Sequence, residues 1–95
     1  MRPKITTPIK GFRILLEYGS KLIETEGNYY ASSVEEFAET FSRQIAKNSA
    51  KSYLGYTLHY SETQDYYQLF IHIDHKYARY SSPIITQWKF REFFQ

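Results

Sequence analysis

The chain has 95 residues, which suits a single domain and leaves no room for a second hydrophobic core. It contains no cysteine, so a disulfide framework and thiol chemistry are excluded. The net charge of +2 is weaker than the basic bias of most dedicated nucleic-acid-binding domains, so it permits such a partner without indicating one. No apolar run approaches the roughly 20 residues of a membrane span. The N-terminus also lacks the apolar segment of a secretory signal. We therefore expect a cytoplasmic protein that makes no membrane contact.

The aromatic content is high for so short a chain. Ten tyrosines, seven phenylalanines and one tryptophan make up 19% of the residues. Aromatic side chains bury large areas, so they allow a small domain to build a workable core. Tyrosine also combines a ring that favours burial with a hydroxyl that needs a hydrogen-bond partner, which makes it common at interfaces.

The first part of the chain reads as an arm followed by a hairpin. Residues 1–10 hold two of the three prolines and predict an extended N-terminal arm, so the folded domain is expected to span 11–95. Within 11–31, Gly19-Ser20 is typical of a two-residue hairpin turn. Pairing across that turn places Leu16 opposite Ile23 on an apolar face and Leu15 on the opposite face.

Residues 33–47 predict a helix. Ser33 followed by Glu36 has the spacing of a capping box. Acidic residues near the start and basic residues near the end complement the helix dipole. Apolar side chains at helical spacing form one stripe that is expected to pack on a sheet: Val34, Phe37, Ala38, Phe41 and Ile45.

Residues 53–74 predict the central hairpin, with the loop 62–65 between its strands. If Ser61 faces Tyr66, one face is apolar throughout, and we expect the helix to cover it. Its members are Leu54, Tyr56, Leu58, Tyr60, Tyr67, Leu69, Ile71 and Ile73. The opposite face carries Tyr53, Gly55, Thr57 and His59 against Asp74, His72, Phe70 and Gln68.

Residues 84–91 alternate apolar and polar side chains, which predicts a last strand after a connection over 75–83. The element order is therefore β-β-α-β-β-β. This order predicts an α+β domain with a mostly antiparallel sheet of about five strands and one helix packed on one face. Because the chain offers only one long helix, the second face of the sheet has nothing of its own to cover it.

The sequence offers little support for catalysis or metal binding. His59 and His72 lie about four strand residues apart in the predicted register, or roughly 13 Å, whereas two ligands of one zinc ion lie within about 4 Å of each other. The chain has no glycine-rich phosphate loop, and its serines have no supporting pattern of histidine and acid. We expect a non-enzymatic protein without a metal or cofactor.

The uncovered sheet face gives the first functional hypothesis. Exposed aromatic side chains usually mark an interaction site, and the candidates here are Tyr53, His59, Phe70, His72 and Leu15. The partner would be another protein or a second copy in a homodimer. A short, tyrosine-rich chain with one helix and no catalytic groups also fits, by analogy of size and architecture, an inhibitor or regulator encoded by a mobile element.

The second hypothesis is nucleic-acid binding through interleaved basic and aromatic side chains. Such a surface suits single-stranded nucleic acid, because bases stack on the rings while cations contact the backbone. The candidates are Lys76, Tyr77, Arg79 and Tyr80 in the connection, with Lys89 and Arg91 in the last strand. The sequence alone leaves both hypotheses open.

Overall fold

The computed structural model describes residues 9–75 and 83–93, and this part of the chain forms six strands and one helix. The elements are β1 (Lys10–Tyr18), β2 (Lys21–Glu24), β3 (Tyr29–Ala31), α1 (Val34–Asn48), β4 (Lys51–Ser61), β5 (Tyr66–His75) and β6 (Ile84–Phe93). The predicted arm lies outside the described residues up to position 8, and Lys10 already belongs to β1.

The strands form one antiparallel sheet in the order β2-β1-β6-β5-β4. The short β3 pairs with the start of β1, on the edge that β2 uses further along. The last strand is therefore inserted between β1 and β5 at the centre of the sheet. The predicted α+β class with one helix on the sheet is confirmed. The predicted order β-β-α-β-β-β did not include the short strand β3, so the observed order of the described elements is β-β-β-α-β-β-β.

The helix begins where the capping pattern predicts. Ser33 has an extended backbone, and its hydroxyl accepts a hydrogen bond from the Glu36 N–H at 3.1 Å. The Glu36 carboxylate reaches back to the hydroxyl of Ser32 instead of the Ser33 N–H. At the other end, the Ser49 N–H donates to the Ile45 carbonyl, and the chain turns at Ala50 into β4. The helix is thus fixed at both ends by local hydrogen bonds.

The core is an aromatic cluster under the helix. The ring of Phe37 stacks on Phe12 of β1 with centroids 4.7 Å apart and meets the edge of Phe90 of β6 at the same distance. One turn later, Phe41 meets the ring of Trp88 at 5.1 Å. Leu69 and Ile71 of β5, both fully buried, complete this layer. The predicted helical stripe is confirmed at its centre, whereas Val34 and Ile45 at its ends are only partly buried.

The first hairpin has the predicted register, but part of its apolar face is exposed. Tyr18 pairs with Lys21 and Leu16 with Ile23 around the turn. Leu16 is nevertheless 39% exposed and Ile23 46% exposed, although both lie on the helix side of the sheet. The helix packs on β3, β4 and the aromatic rings of β1 and β6, and it does not extend over this corner.

The central hairpin matches the predicted register from Ser61–Tyr66 to Gly55–His72 and departs from it beyond that point. A β-bulge between Tyr53 and Gly55 leaves Leu54 unpaired, so Tyr53 stands opposite Ile73. Gly55 has a φ of +136°, which side-chain-bearing residues rarely adopt. The extra residue reverses the alternation, so Tyr53 faces the helix and Leu54 is 54% exposed.

We predict that Phe37→Ala lowers the free energy of unfolding by about 3–5 kcal/mol, because it removes the ring that Phe12 and Phe90 pack against. Urea unfolding followed by circular dichroism measures the change. Thr40→Ala, on the exposed side of the same helix, is the matched control. A loss of less than about 1 kcal/mol for Phe37→Ala would contradict the described core.

We also predict that Gly55→Ala costs about 1–3 kcal/mol, because the bulge holds this residue at a positive φ. Gly27→Ala is the control, since a Cβ there meets Tyr29 only at an ordinary contact distance of 3.7 Å. The same unfolding experiment compares the two variants. Equal stability of both would show that the bulge is absent in solution.

Candidate protein interaction surface

The face of the sheet opposite the helix carries an uncharged region over its last three strands. The register brings together eight residues that include no Lys, Arg, Asp or Glu. We call them the Phe70 patch: Gly55, Thr57, His59, Gln68, Phe70, His72, Ile85 and Gln87. Within the described residues, no helix covers this face.

Phe70 lies at the centre of the patch. It pairs with Thr57 on β4 and with Gln87 on β6, and it is half-buried between them. The neighbouring His72 makes a hydrogen bond of 3.1 Å between its Nε2 and the Thr57 hydroxyl. On its other side stands Ile85, which is 57% exposed. The patch therefore presents an aromatic ring, an imidazole held in place and an exposed aliphatic side chain on one surface.

Beside the patch, the long basic side chains of β1 and β6 are engaged within the chain. Lys89 makes an ion pair of 2.9 Å with Glu17, and its side chain is only 14% exposed. Its Nζ also lies 5.8 Å from the centre of the Tyr66 ring. These contacts hold the lysine down along the sheet at the border of the patch.

Two arginines behave in the same way. Arg91 donates from its Nε to the Asp65 carbonyl at 2.9 Å, in the loop between β4 and β5. Arg13 donates to the Asn28 side-chain oxygen at 2.8 Å and stacks over Phe93, 4.5 Å from the ring centre. Lys89, Arg91 and Arg13 are therefore held by contacts within the chain and do not extend freely into solvent.

The structure brings together three of the five residues predicted for the interaction surface. Phe70 and His72 lie side by side on β5, and His59 is exposed on the edge strand β4. Leu15 lies on the predicted face but is 4% exposed, because it stands between the long side chains of Lys89 and Glu24 on its neighbouring strands.

The placement of Tyr53 on this face is wrong. The bulge turns it toward the helix, where its hydroxyl donates to Glu39 at 2.9 Å. Glu39 also accepts from Arg43 at 2.8 Å, and the Arg43 guanidinium lies 4.7 Å from the centre of the Tyr53 ring. Tyr53 is thus part of a helix-to-sheet contact.

Tyr53 and Glu39 shift each other's pKa. Burial, followed by the hydrogen bond to Glu39, raises the pKa of Tyr53 to about 12. The hydrogen bond from Tyr53, followed by that from Arg43, lowers the pKa of Glu39 below its ordinary value of 4.5. The contact therefore needs a neutral phenol and an ionised carboxylate.

Sequence reasoning missed Ile85 and Gln87 as members of the patch. The alternation in the last strand already placed both opposite its apolar side, which was the available signal. What was missing was the position of β6 beside β5, because strand order depends on contacts between distant parts of the chain.

Other kinds of site find less support in the described part of the chain. Residues 9–75 and 83–93 contain no group of three or more His, Cys, Asp or Glu side chains that could hold a metal ion.

A groove of about 330 Å³ lies between β3 and α1, lined by side chains that include Tyr29, Phe41 and Ile45. Within the same residues, no helix has both the length and the apolar character needed to cross a membrane.

The nucleic-acid candidates divide into two groups. Lys76, Tyr77, Arg79 and Tyr80 lie outside the described residues. Lys89 and Arg91 lie on the same sheet face as the Phe70 patch, engaged as described above.

Comparison with known proteins adds no assignment. No protein-family model, curated protein sequence or solved structure matches the chain.

We predict that Tyr53→Phe destabilises the protein in a pH-dependent way. At neutral pH the variant lacks the hydrogen bond to ionised Glu39. The lowered pKa of Glu39 stabilises the fold above its unfolded value near 4.5, and this gain is lost as pH falls through the folded pKa. The stability difference between wild type and Tyr53→Phe should therefore shrink in acid.

The same difference should shrink between pH 10 and about 12. In this range the Tyr53 phenol of the unfolded chain is ionised while that of the folded protein is still neutral, so the stability that the hydroxyl contributes falls as pH rises. Urea unfolding across pH measures both limits. Tyr56→Phe is the control on the acid side, since the Tyr56 hydroxyl points to a backbone carbonyl that does not titrate. An acid-side change of equal size in both variants would contradict the coupling.

Proposed function

We propose that this chain is a non-enzymatic binding protein that recognises a protein partner through the Phe70 patch. Protein interfaces are depleted of charged residues at their centre and enriched in aromatic ones, with a polar rim outside. The patch has this organisation: Phe70 is central and Asp74 and Lys89 follow at the border. This arrangement is the observation that carries the proposal.

The exposure of Ile85 supports the same reading. Ile85 is 57% exposed beside a half-buried ring, so covering its apolar surface with a partner lowers the free energy of the complex. The partner is expected to present an apolar or aromatic side chain to Phe70 and Ile85. It is also expected to present hydrogen-bonding groups to Gln68 and Gln87, because those amides would otherwise be buried without partners.

The patch is smaller than a complete interface. Three strands about 4.8 Å apart and five residues along each strand give an area on the order of 200 Å². A stable protein complex buries about 800 Å² on each partner. The patch is therefore the centre of a larger contact that includes surrounding polar side chains. A binding surface of this kind suits an inhibitor or regulator that occupies one site of a larger complex.

The nucleic-acid hypothesis is the weaker one for the described surface. Such binding relies on cations that release counterions when they meet phosphates. Lys89 and Arg91 would first have to leave Glu17 and the Asp65 carbonyl. The loss of these contacts would offset part of the free energy of phosphate binding. Nucleic-acid binding is one outcome of the test below.

The test compares partner binding by wild type and Ile85→Lys. The substituted position is exposed, so the variant should fold, while the new ammonium group would be buried against the partner. Ile23→Lys, at a position 46% exposed on the helix side, is the matched control. Proteins captured on wild type and Ile23→Lys but lost on Ile85→Lys are purified and titrated calorimetrically.

We expect Ile85→Lys to bind such a partner at least about tenfold more weakly, because an unpaired charge becomes desolvated in the contact. Equal binding by Ile85→Lys and Ile23→Lys would overturn the proposal. So would micromolar binding of labelled single-stranded DNA or RNA, with steep salt dependence, that Ile85→Lys strengthens.

A further inference from the structure

The two edges of the sheet are built differently. On one side, β1 is flanked by two short segments, β2 and β3, of four and three residues. On the other side, β4 runs for 11 residues and, in the described part of the chain, pairs only with β5. Its outer N–H and C=O groups therefore face away from the sheet. A long free edge of this kind is a template for another strand.

Proteins usually protect such an edge with charges, prolines or bulges. The first part of β4 has such features, since Lys51 begins the strand and a bulge interrupts it at Leu54. The second part has none. The segment 56–61 is regular and contains no proline and no Lys, Arg, Asp or Glu. Its tyrosines and threonine favour extended backbone.

We propose that β4 pairs with β4 of a second copy in antiparallel register, with the two-fold axis at Leu58. An antiparallel pair of identical strands is related by a two-fold axis perpendicular to the sheet, so each strand supplies the same donors and acceptors to the other. This register uses the whole stretch from Gly55, where the bulge ends, to Ser61, and that stretch is centred on Leu58. Tyr56 then stands opposite Tyr60 of the other copy, and Thr57 opposite its His59.

We favour β4 of a second copy as the partner strand because the side chains of residues 55–61 are complementary to their own two-fold-related copies. On the helix side, two Leu58 side chains meet between two Tyr56–Tyr60 pairs, which is a stabilising combination across strands. Tyr60 is 43% exposed in the single chain and would be covered. No charged side chain of the segment meets a like charge, since the segment contains none. Another protein's strand would need no such symmetry.

The contact should be weak. Seven residues span roughly 23 Å, and with side chains on both faces the pairing buries on the order of 400 Å² per copy. That area lies below the usual size for a stable complex and within the range of transient ones. We therefore expect a dimer that forms at tens to hundreds of micromolar.

The pairing has a consequence for the opposite face. A two-fold axis perpendicular to the sheet leaves both helices on one side and both Phe70 patches on the other. The patches then lie next to each other across the shared edge and form one surface of twice the area. The pairing itself stands without the proposed function, whereas the doubled binding surface rests on it.

The test is sedimentation equilibrium of the purified full chain from about 5 to 500 μM. We expect a monomer–dimer equilibrium in wild type and a dissociation constant at least about tenfold higher for His59→Lys, because a lysine on an edge strand opposes pairing. Gln87→Lys, which lies on the same face but on the central strand β6, should dimerise like wild type.

Hydrogen exchange of wild type at the two ends of this concentration range gives a second readout. Alternate amides between residues 55 and 61 should gain protection in the dimer, because only the outward N–H groups acquire new acceptors. This measurement does not depend on the folding of any variant.

Three results would overturn the edge pairing. These are a monomer up to 500 μM, unchanged exchange over residues 55–61, or a dimer that Gln87→Lys weakens as much as His59→Lys does. The last result would indicate face-to-face association through the Phe70 patch and would leave the proposed function intact. Failure of the proposed function shows separately, as unchanged partner binding by Ile85→Lys.

Discussion

The packing of Phe37 between Phe12 and Phe90 is the contact on which the rest of the structure depends. It joins the helix to the first strand and to the last, so it brings the two ends of the described chain into one core. Because β6 lies at the centre of the sheet, its backbone hydrogen bonds join β1 to β5 in the described part of the chain. The fold therefore relies on contacts between residues far apart in sequence, which is typical of slowly folding sheet proteins.

This constraint also determines which surface is left for recognition. One helix can cover one face of a sheet, and it draws the largest rings of β1, α1 and β6 to that side. On the other face, long side chains of β1 and β6 fold over their own neighbours through ion pairs and stacking. Over β4, β5 and the start of β6, the face instead carries the side chains of the Phe70 patch, which include no Lys, Arg, Asp or Glu. The uncharged patch is thus what the one helix of the described residues leaves uncovered.

Local patterns in the sequence were sufficient for the parts of the fold that are determined locally. The Ser33 cap, the turn at Gly19-Ser20 and the register from Ser61–Tyr66 to Gly55–His72 were all predicted. Tyr53 was placed on the wrong face because a single bulged residue reverses the alternation. The positive φ of Gly55 that permits the bulge has no signature in the pattern of apolar residues.

The other differences arise from strand order. Leu15 is buried because Lys89 lies beside it, and that neighbour depends on where β6 enters the sheet. The same insertion places Ile85 next to His72 and completes the patch. Of the candidate site, the residues of one hairpin could be predicted from sequence, whereas the contribution of the last strand could not. Short-range spacing determines faces, but long-range packing determines neighbours.

The central claim is that a partner protein covers the Phe70 patch. Hydroxyl-radical footprinting of the protein, free and bound to its purified partner, tests this claim at the level of single side chains. The account predicts that labelling of Phe70 and Ile85 falls on binding, while Tyr18, which is 60% exposed at the β1–β2 turn, is labelled equally in both states. Unchanged labelling of Phe70 and Ile85 together with protection of Tyr18 would contradict it.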